Sequence, residues 1–468
     1  MTRWKNFCLF GFSPLQHKYS VIYARHFRSF ATYTFFSPLL ELVSSCLSTR
    51  QCPDFSDEQF LTTCLLRVLA PQESGRDFLQ SLRDVHDINN VERSQFFETL
   101  KSKRRLTFLR EVSQLFKDSC QPQLAGHDAF ASIPELEGRE IYAGDGHYIE
   151  HACHDPRDPF YRKKPYVAIG HFYAINLRTH WLDYMDLALE GTKKQHDMKV
   201  MKRVSEQLKV GGKKGTIWVW DKAGIDLRFW HNQKQAHGVY FVSRLKKNMK
   251  PQKCGDLEWD KDDERNDGVT GNELVGVGGG SMMRVVTYMD PETGKEWKYL
   301  TSDLKLPPGV IAHLYRVRWT IEKVFDETEN RLHENKGWGV SENAKRMQAH
   351  FTALAHNLML LIEAKVQREH GIHDEKVAKK FDKELKRRAR EARAKGRRLP
   401  RMIKLLRKRA THISFQFIRW LRNHLATQSS YEASLPALRR AMAVYLRPNM
   451  DTIANSINCP HYLTYNSS

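Results

Sequence analysis

The chain changes its hydrophobic period several times, and each change predicts a different kind of element. Between residues 36 and 130 the period is helical. Ser56-Asp57-Glu58-Gln59 has the form of a capping box, in which the Ser hydroxyl and the Gln side chain each take a backbone N–H at a helix start. Leu61, Leu65, Leu66 and Leu69 follow with helical spacing, and Pro71, lacking the N–H that a helix interior needs, ends the pattern. A second helical pattern runs through Phe96, Phe97, Leu100, Leu106, Phe108, Leu109 and Val112. Lys101, Lys103, Arg104 and Arg105 lie among those positions, which suits phosphate contacts and is equally what a solvated helix face contains.

Near residue 139 the period shortens. Residues 140–144 form a short strand signal that ends on Asp145-Gly146, and 166–176 and 180–188 are rich in β-branched and aromatic residues. A helical pattern at 193–208 precedes the apolar run 216–220, which ends on Asp221, and 238–242 predicts another strand. Strands alternating with helices predict an α/β core. Residues 246–303 are polar and turn-rich, with strand-like pieces at 273–277, 283–288 and 297–301, and predict a β-rich insertion. Its Gly278-Gly279-Gly280 is a flexible link and no dinucleotide fingerprint, because the third glycine position falls on Met283. Pro307-Pro308-Gly309 then introduces a long helix over 310–332, and another follows over 340–367. The expected layout is a basic arm (1–35), a helical DNA-binding region (36–130), a core (139–367), a basic helical region (370–450) and a tail (451–468).

Charge adds a partner to this picture. Lys and Arg number 75 against 54 Asp and Glu, a net +21 that attracts polyanions, nucleic acid above all. Lys386-Arg387-Arg388 and Arg407-Lys408-Arg409 concentrate it near the C-terminus. The eight cysteines are scattered without a C-x-x-C pair, which suggests neither a disulfide framework nor a zinc ribbon and fits a reducing cytosol. No apolar run is long enough for a bilayer, so no membrane is expected. The first 35 residues contain basic and aromatic residues and no acid, in keeping with a DNA-contacting arm, a transit peptide or a start codon placed too early.

Among 54 acids, position is the only guide. Asp145 and Asp221 each follow an apolar strand and precede a glycine-containing turn, the place in an α/β sheet where side chains converge. Two carboxylates meeting there repel unless a cation lies between them, and hard oxygen ligands suit Mg²⁺ or Mn²⁺. On the following helix, Leu314, Val317, Ile321, Phe325, Thr328 and Leu332 make a largely apolar face. Tyr315, Arg318, Glu322, Asp326 and Glu329 make the adjoining stripe. This sets a phosphate-binding guanidinium one turn from a carboxylate, though an ordinary amphipathic helix with an i, i+4 salt bridge has the same look.

Tyr315-Arg316-Val317-Arg318-Trp319-Thr320-Ile321-Glu322 resembles the Y-x-x-R-x-x-x-E signature of the IS4 family of bacterial DDE transposases. Asp145-Gly146 and Trp220-Asp221-Lys222-Ala223-Gly224 are similar to the family's first and second Asp motifs, and the separations of 76 and 101 residues fit its order. The resemblance covers about 139–365 and implies a ribonuclease H-like core interrupted by the β-rich insertion. It implies that Asp145, Asp221 and Glu322 hold two Mg²⁺ (or Mn²⁺) ions. The implied activity is that of an endonuclease and strand transferase that cuts an insertion sequence at its terminal inverted repeats and joins the freed 3′-hydroxyl to target DNA. By the same resemblance, Tyr315 and Arg318 hold a flipped nucleotide and Trp319 stacks on a base. The protein is expected to work as a dimer in a synaptic complex, in the bacterial cytoplasm at the nucleoid, without a small-molecule cofactor.

One position departs from the family. Its Lys, seven residues after the Glu, is here Glu329, with Arg331 and Lys336 as nearby substitutes. Lys163 and Lys164 beside Tyr161 and Tyr166 suit a DNA channel or a solvated loop. His147, His151, Cys153 and His154 are of zinc-binding types, but their spacing does not close a tetrahedral site. Two alternatives stay open: a ribonuclease H-like nuclease that cuts without joining, and an inactive DNA-binding relic.

Overall fold

The computed structural model describes residues 30–50, 52, 54–69, 75–86, 91–128, 130–149, 151–152, 169–190, 193–208, 213–277, 281–290, 294–330, 332, 336–370, 387, 390 and 394. The triglycine 278–280, the basic clusters at 386–388 and 407–409 (residue 387 apart) and the tail lie outside the described residues. The chain divides into two compact units, one of residues 1–99, 103–119 and 358–468, the other of 100–102 and 120–357.

The described residues of the first unit are largely helical: α1 (Phe30–Val43), α2 (Asp57–Leu69), α3 (Gly75–His86), α4 (Arg93–Thr99) and α5 (Lys103–Cys120). The capping box forms as its sequence predicts. Gln59 N–H donates to Ser56 Oγ at 3.1 Å, and Ser56 N–H donates to Gln59 Oε1 at 2.8 Å. The second helical pattern is two helices, because the backbone turns at residues 100–102 between α4 and α5. Two of its basic residues also have a different task from phosphate contact. Arg104 grips Asp57 with both Nη atoms at 3.0 Å, and Arg105, itself buried, pairs with the same carboxylate. Asp57 is 1% exposed, so these arginines neutralise a buried charge and close α2 onto α5.

The second unit is built on one nine-stranded sheet. Its strands are β1 (Ile141–Ile149), β2 (Ile169–Asn176), β3 (Leu182–Leu187), β4 (Ile217–Trp220), β5 (Tyr240–Arg244), β6 (Gln252–Asp256), β7 (Val269–Gly276), β8 (Met282–Met289) and β9 (Glu296–Thr301). Their order is β3-β2-β1-β4-β5-β9-β8-β7-β6. Only the β1–β4 and β4–β5 pairs are parallel. β2 and β4 are buried on both faces, as their unbroken apolar and aromatic runs require. The strands expected as an insertion continue the same sheet, since β9 pairs with β5 through Tyr299↔Arg244 and Thr301↔Val242. Of these, β6 was not predicted: its Gln-Lys-Cys-Gly-Asp sequence is exposed at the sheet edge and has no apolar alternation.

Helices cover both faces of this sheet. One face packs α6 (Asp197–Leu208) and α7 (Leu227–His237) through Met198, Met201, Val204 and Trp230 onto Phe172, Trp218, Trp220 and Phe241. The other packs α8 (Pro308–Val317), α9 (Thr320–Asn330) and the start of α10 (Glu342–His370) through Ile311, Leu314, Ile321, Val324 and Ala353 onto Ala143, Val219 and Val242. The helix predicted over 310–332 is thus two helices. At the break, Ile321 N–H bonds Arg318 O, three residues back, so the ladder tightens for one step at Arg318-Trp319.

Candidate active site

Strand register brings the first two acids together. Ala143 pairs with Val219 across the parallel β1–β4 ladder, and Asp145 and Asp221 each stand two residues further on. Side chains alternate along a strand, so both carboxylates share the face of Ala143 and Val219, where Leu314 and Ile321 also pack. Asp145 does not lie at a strand end as expected. β1 runs on to Ile149 because β2 stays paired with it, Asp145 opposite Tyr173, after β4 has ended. Asp145 therefore projects from an interior strand position at the point where its other neighbour stops.

Trp220 sets the backbone around both acids. A Cβ on Gly144 would lie 2.7 Å from the Trp220 ring, and one on Gly224 would lie 2.6 Å from Trp220 Cβ. Glycine before Asp145 and glycine three residues after Asp221 are what let the chain close around this indole. The Asp221 turn is tied further by Gly224 N–H to Asp221 O at 2.9 Å and by Ser243 Oγ to the same oxygen at 3.1 Å.

The predicted stripe on α8 and α9 faces these acids. Tyr315 hydroxyl donates to Asp221 Oδ1 at 3.4 Å, and Arg318 Nη2 donates to Glu322 Oε1 at 2.7 Å. Arg318 is 5% exposed, with its guanidinium 5.5 Å from the centre of the Tyr315 ring. Its Nε and Nη1 have no hydrogen-bond partner among the described residues. The i, i+4 salt bridge of the plain-helix reading therefore exists, and it engages the third acid. Trp319, at the helix break, is 56% exposed.

Burial, and then the charge of Asp197, push Asp145 up to about 6; Glu322 adds to this, while the Gly146 N–H and Arg318 oppose it. Asp197 went unnoticed in the sequence because it opens a helix instead of following a strand. Its trace is Gly146: a Cβ there would lie 2.9 Å from Asp197 Oδ1, and the Tyr148 hydroxyl reaches that oxygen at 3.4 Å. Arg244 was also missed. It follows Val242 on the face of the acids, and its guanidinium stacks 3.9 Å from the centre of the Trp297 ring.

The unexpected acid Glu329 has a partner. His147, buried two residues after Asp145, places Nδ1 3.6 Å from Glu329 Oε1 and packs its ring 5.0 Å from that of Phe325. His147 is thus committed to α9. The side chains of His151, Cys153 and His154, and residues Lys163, Lys164 and Arg331, lie outside the described residues.

The donors fit a hard divalent cation in kind: oxygen ligands, and an Asp145 whose anion is disfavoured by other acids. Among the described residues, no three His, Cys, Asp or Glu side chains converge closely enough to hold a metal ion. Glu322 is held instead by Arg318. Among the described residues, too, no helix is long and apolar enough to cross a membrane.

No curated protein matches the chain. The family model of the transposase DDE domain matches residues 150–358, a stretch that takes in Asp221, Tyr315, Arg318 and Glu322 and begins just after β1. Such a domain implies DNA binding and suggests a DNA-cutting enzyme, and the mixed α/β fold with its mostly antiparallel sheet fits it. Over residues 150–358 the chain is similar to the transposase DDE domain, which supports a DDE transposase.

Proposed function

We propose that the chain is an IS4-type transposase that cuts the ends of an insertion sequence and joins them to target DNA. The observation that carries this reading is the parallel register Ala143↔Val219, which sets Asp145 on β1 and Asp221 just past the end of β4 two residues further on, beneath the stripe bearing Tyr315, Arg318 and Glu322. The strand order β3-β2-β1-β4-β5, with two antiparallel then two parallel pairings, supports a ribonuclease H-like core extended by β6–β9.

Asp145, Asp221 and Glu322 would hold Mg²⁺ or Mn²⁺, two ions in all. Bound there, the metal supplies activation of a water or 3′-hydroxyl and charge stabilisation at the phosphodiester. The protein's own groups do the rest. Tyr315 keeps the Asp221 carboxylate turned toward α8, Arg318 presents unused N–H donors to a backbone phosphate, and Arg244 adds a second cation on the same face. Trp319 offers an exposed ring for base stacking. Lys163, Lys164 and Arg331 belong to the DNA channel in this proposal, and the basic segment after residue 370 to end binding or dimeric synapsis.

A strand-transfer assay tests the reading. DNA flanking the reading frame, with its inverted repeats, is incubated with a target plasmid, Mg²⁺ and the full chain. Joined products support a transposase. Nicking without joining supports a nuclease instead, and DNA binding without either supports an inactive relic.

A further inference from the structure

We infer that Arg318 is a positioning residue that couples DNA binding to metal binding: it holds Glu322 back until a backbone phosphate takes over its guanidinium. The inference rests on the proposed role of Asp145, Asp221 and Glu322 as metal-holding carboxylates.

Three observations lead to it. Glu322 is engaged by Arg318 Nη2 at 2.7 Å, and no three-acid cluster is assembled among the described residues. Arg318 is also not a spent ion-pair partner. It is 95% buried, yet Nε and Nη1 bond nothing among the described residues, and buried donors without partners are rare unless a ligand is missing. Finally, the pair stands among further acids: Asp145 lies close enough to feel the charges of Arg318, Glu322 and Asp197, so carboxylates outnumber the one guanidinium.

One guanidinium carries one positive charge. A phosphodiester that reaches its buried, unpartnered donors competes with the Glu322 carboxylate for that charge and weakens the ion pair. Glu322 lies only 32% exposed at the first turn of α9, with Asp145 close enough to feel its charge. Once released, it is repelled by Asp145 unless a cation lies between them. Metal and DNA then bind with positive coupling, each strengthening the other by the same factor. The site is completed only on substrate, so an unbound chain binds metal more weakly and does not cut.

The test is Mn²⁺ affinity, read from the free-ion electron paramagnetic resonance signal, on the full chain. Without DNA, Arg318→Met should bind Mn²⁺ at least about fivefold tighter than the parent, the lower end of typical coupling factors. Glu322→Gln alone sets the baseline against which the double variant is read. In the Arg318→Met/Glu322→Gln double variant the gain should vanish. A gain that persists there reflects removal of a positive charge alone and overturns the inference, as does no gain in Arg318→Met.

If Arg318→Met does not fold, the parent answers the same question. A short duplex oligonucleotide, with its own Mn²⁺ uptake subtracted, should tighten Mn²⁺ binding in the parent and not in Glu322→Gln. Equal behaviour of the two overturns the coupling. Asp145→Asn and Asp221→Asn separate the two failures. Loss of Mn²⁺ binding in both, without any dependence on Arg318, defeats the coupling alone. Unchanged Mn²⁺ binding in both defeats the site reading itself.

Discussion

Gly309→Ala should unlock the helix that carries the site. Gly309 stands in the first turn of α8, whose N-terminus packs on the turn Glu264–Asn266 from between β6 and β7. A Cβ there would lie 1.8 Å from Arg265 O, 2.6 Å from Arg265 C and 2.8 Å from Asn266 Cα. All three are backbone atoms, so no rotamer change relieves the overlap, and α8 must move off the turn. That movement strains packing by about 1–3 kcal/mol and loosens the buried hydrogen bond from Gly309 N–H. The bond runs to Asn266 Oδ1 at 2.9 Å and contributes about 0.5–1.5 kcal/mol. Lower chain entropy of alanine in the unfolded state returns about 0.4–1 kcal/mol. The net is a loss of about 0.5–4 kcal/mol. Urea unfolding followed by tryptophan fluorescence reads it well, because most tryptophans, Trp181 to Trp338, lie in the unit that holds the sheet. Gly255→Ala is the control: nothing lies within 4 Å of its Cβ position, and stability should hold within about 0.5 kcal/mol. If Gly309→Ala matches that control, the sheet extension does not anchor α8, and this account of how Tyr315 and Arg318 are placed is wrong.

Gly144→Ala meets the Trp220 ring at 2.7 Å and Phe172 at 3.2 Å, so a loss of about 1–3 kcal/mol is expected, partly restored by adding Trp220→Phe. No restoration in the double variant would remove Trp220 as the wedge between the two Asp motifs. Asp57→Ala leaves buried Arg105 without its carboxylate and should cost about 3–5 kcal/mol in the helical unit, measured by far-ultraviolet circular dichroism during unfolding. Stability depends on pH through His171, which burial pushes down to about 3. Below pH 6.5 the unfolded chain takes up a proton that the folded chain refuses. Stability should therefore fall by about 1.4 kcal/mol per pH unit from this group until pH nears 3. His171→Phe should flatten that slope, as seen in urea midpoints at pH 7 and pH 5; an unchanged slope would acquit His171.

Local pattern made much of this molecule legible. The capping box at Ser56, the apolar stripe from Leu314 to Phe325 and the strands that carry Asp145 and lead to Asp221 each follow from spacing and residue type alone. What stayed hidden depends on neighbours distant in the chain. β1 outlasts its expected end because β2 pairs with it, which no property of residues 145–149 announces. Arg104 and Arg105 read as a cationic surface until Asp57, far back in the chain, is set against them. Asp197 influences Asp145 from a helix start that carries no motif, and β6 joins the sheet with an exposed polar sequence. Glu329, a departure in the sequence, is matched in space by His147 on β1.

In the proposed function, Asp145, Asp221 and Glu322 act together in metal-dependent DNA cutting. The most direct measurement incubates the full chain with a supercoiled plasmid carrying the DNA that flanks its reading frame, and compares the parent with Asp145→Asn, Asp221→Asn and Glu322→Gln. The account predicts cutting by the parent with Mg²⁺ or Mn²⁺, none with chelator, and loss of cutting in every variant while DNA binding persists. Parental cutting by any one of the three variants, or by the parent in chelator, would contradict it.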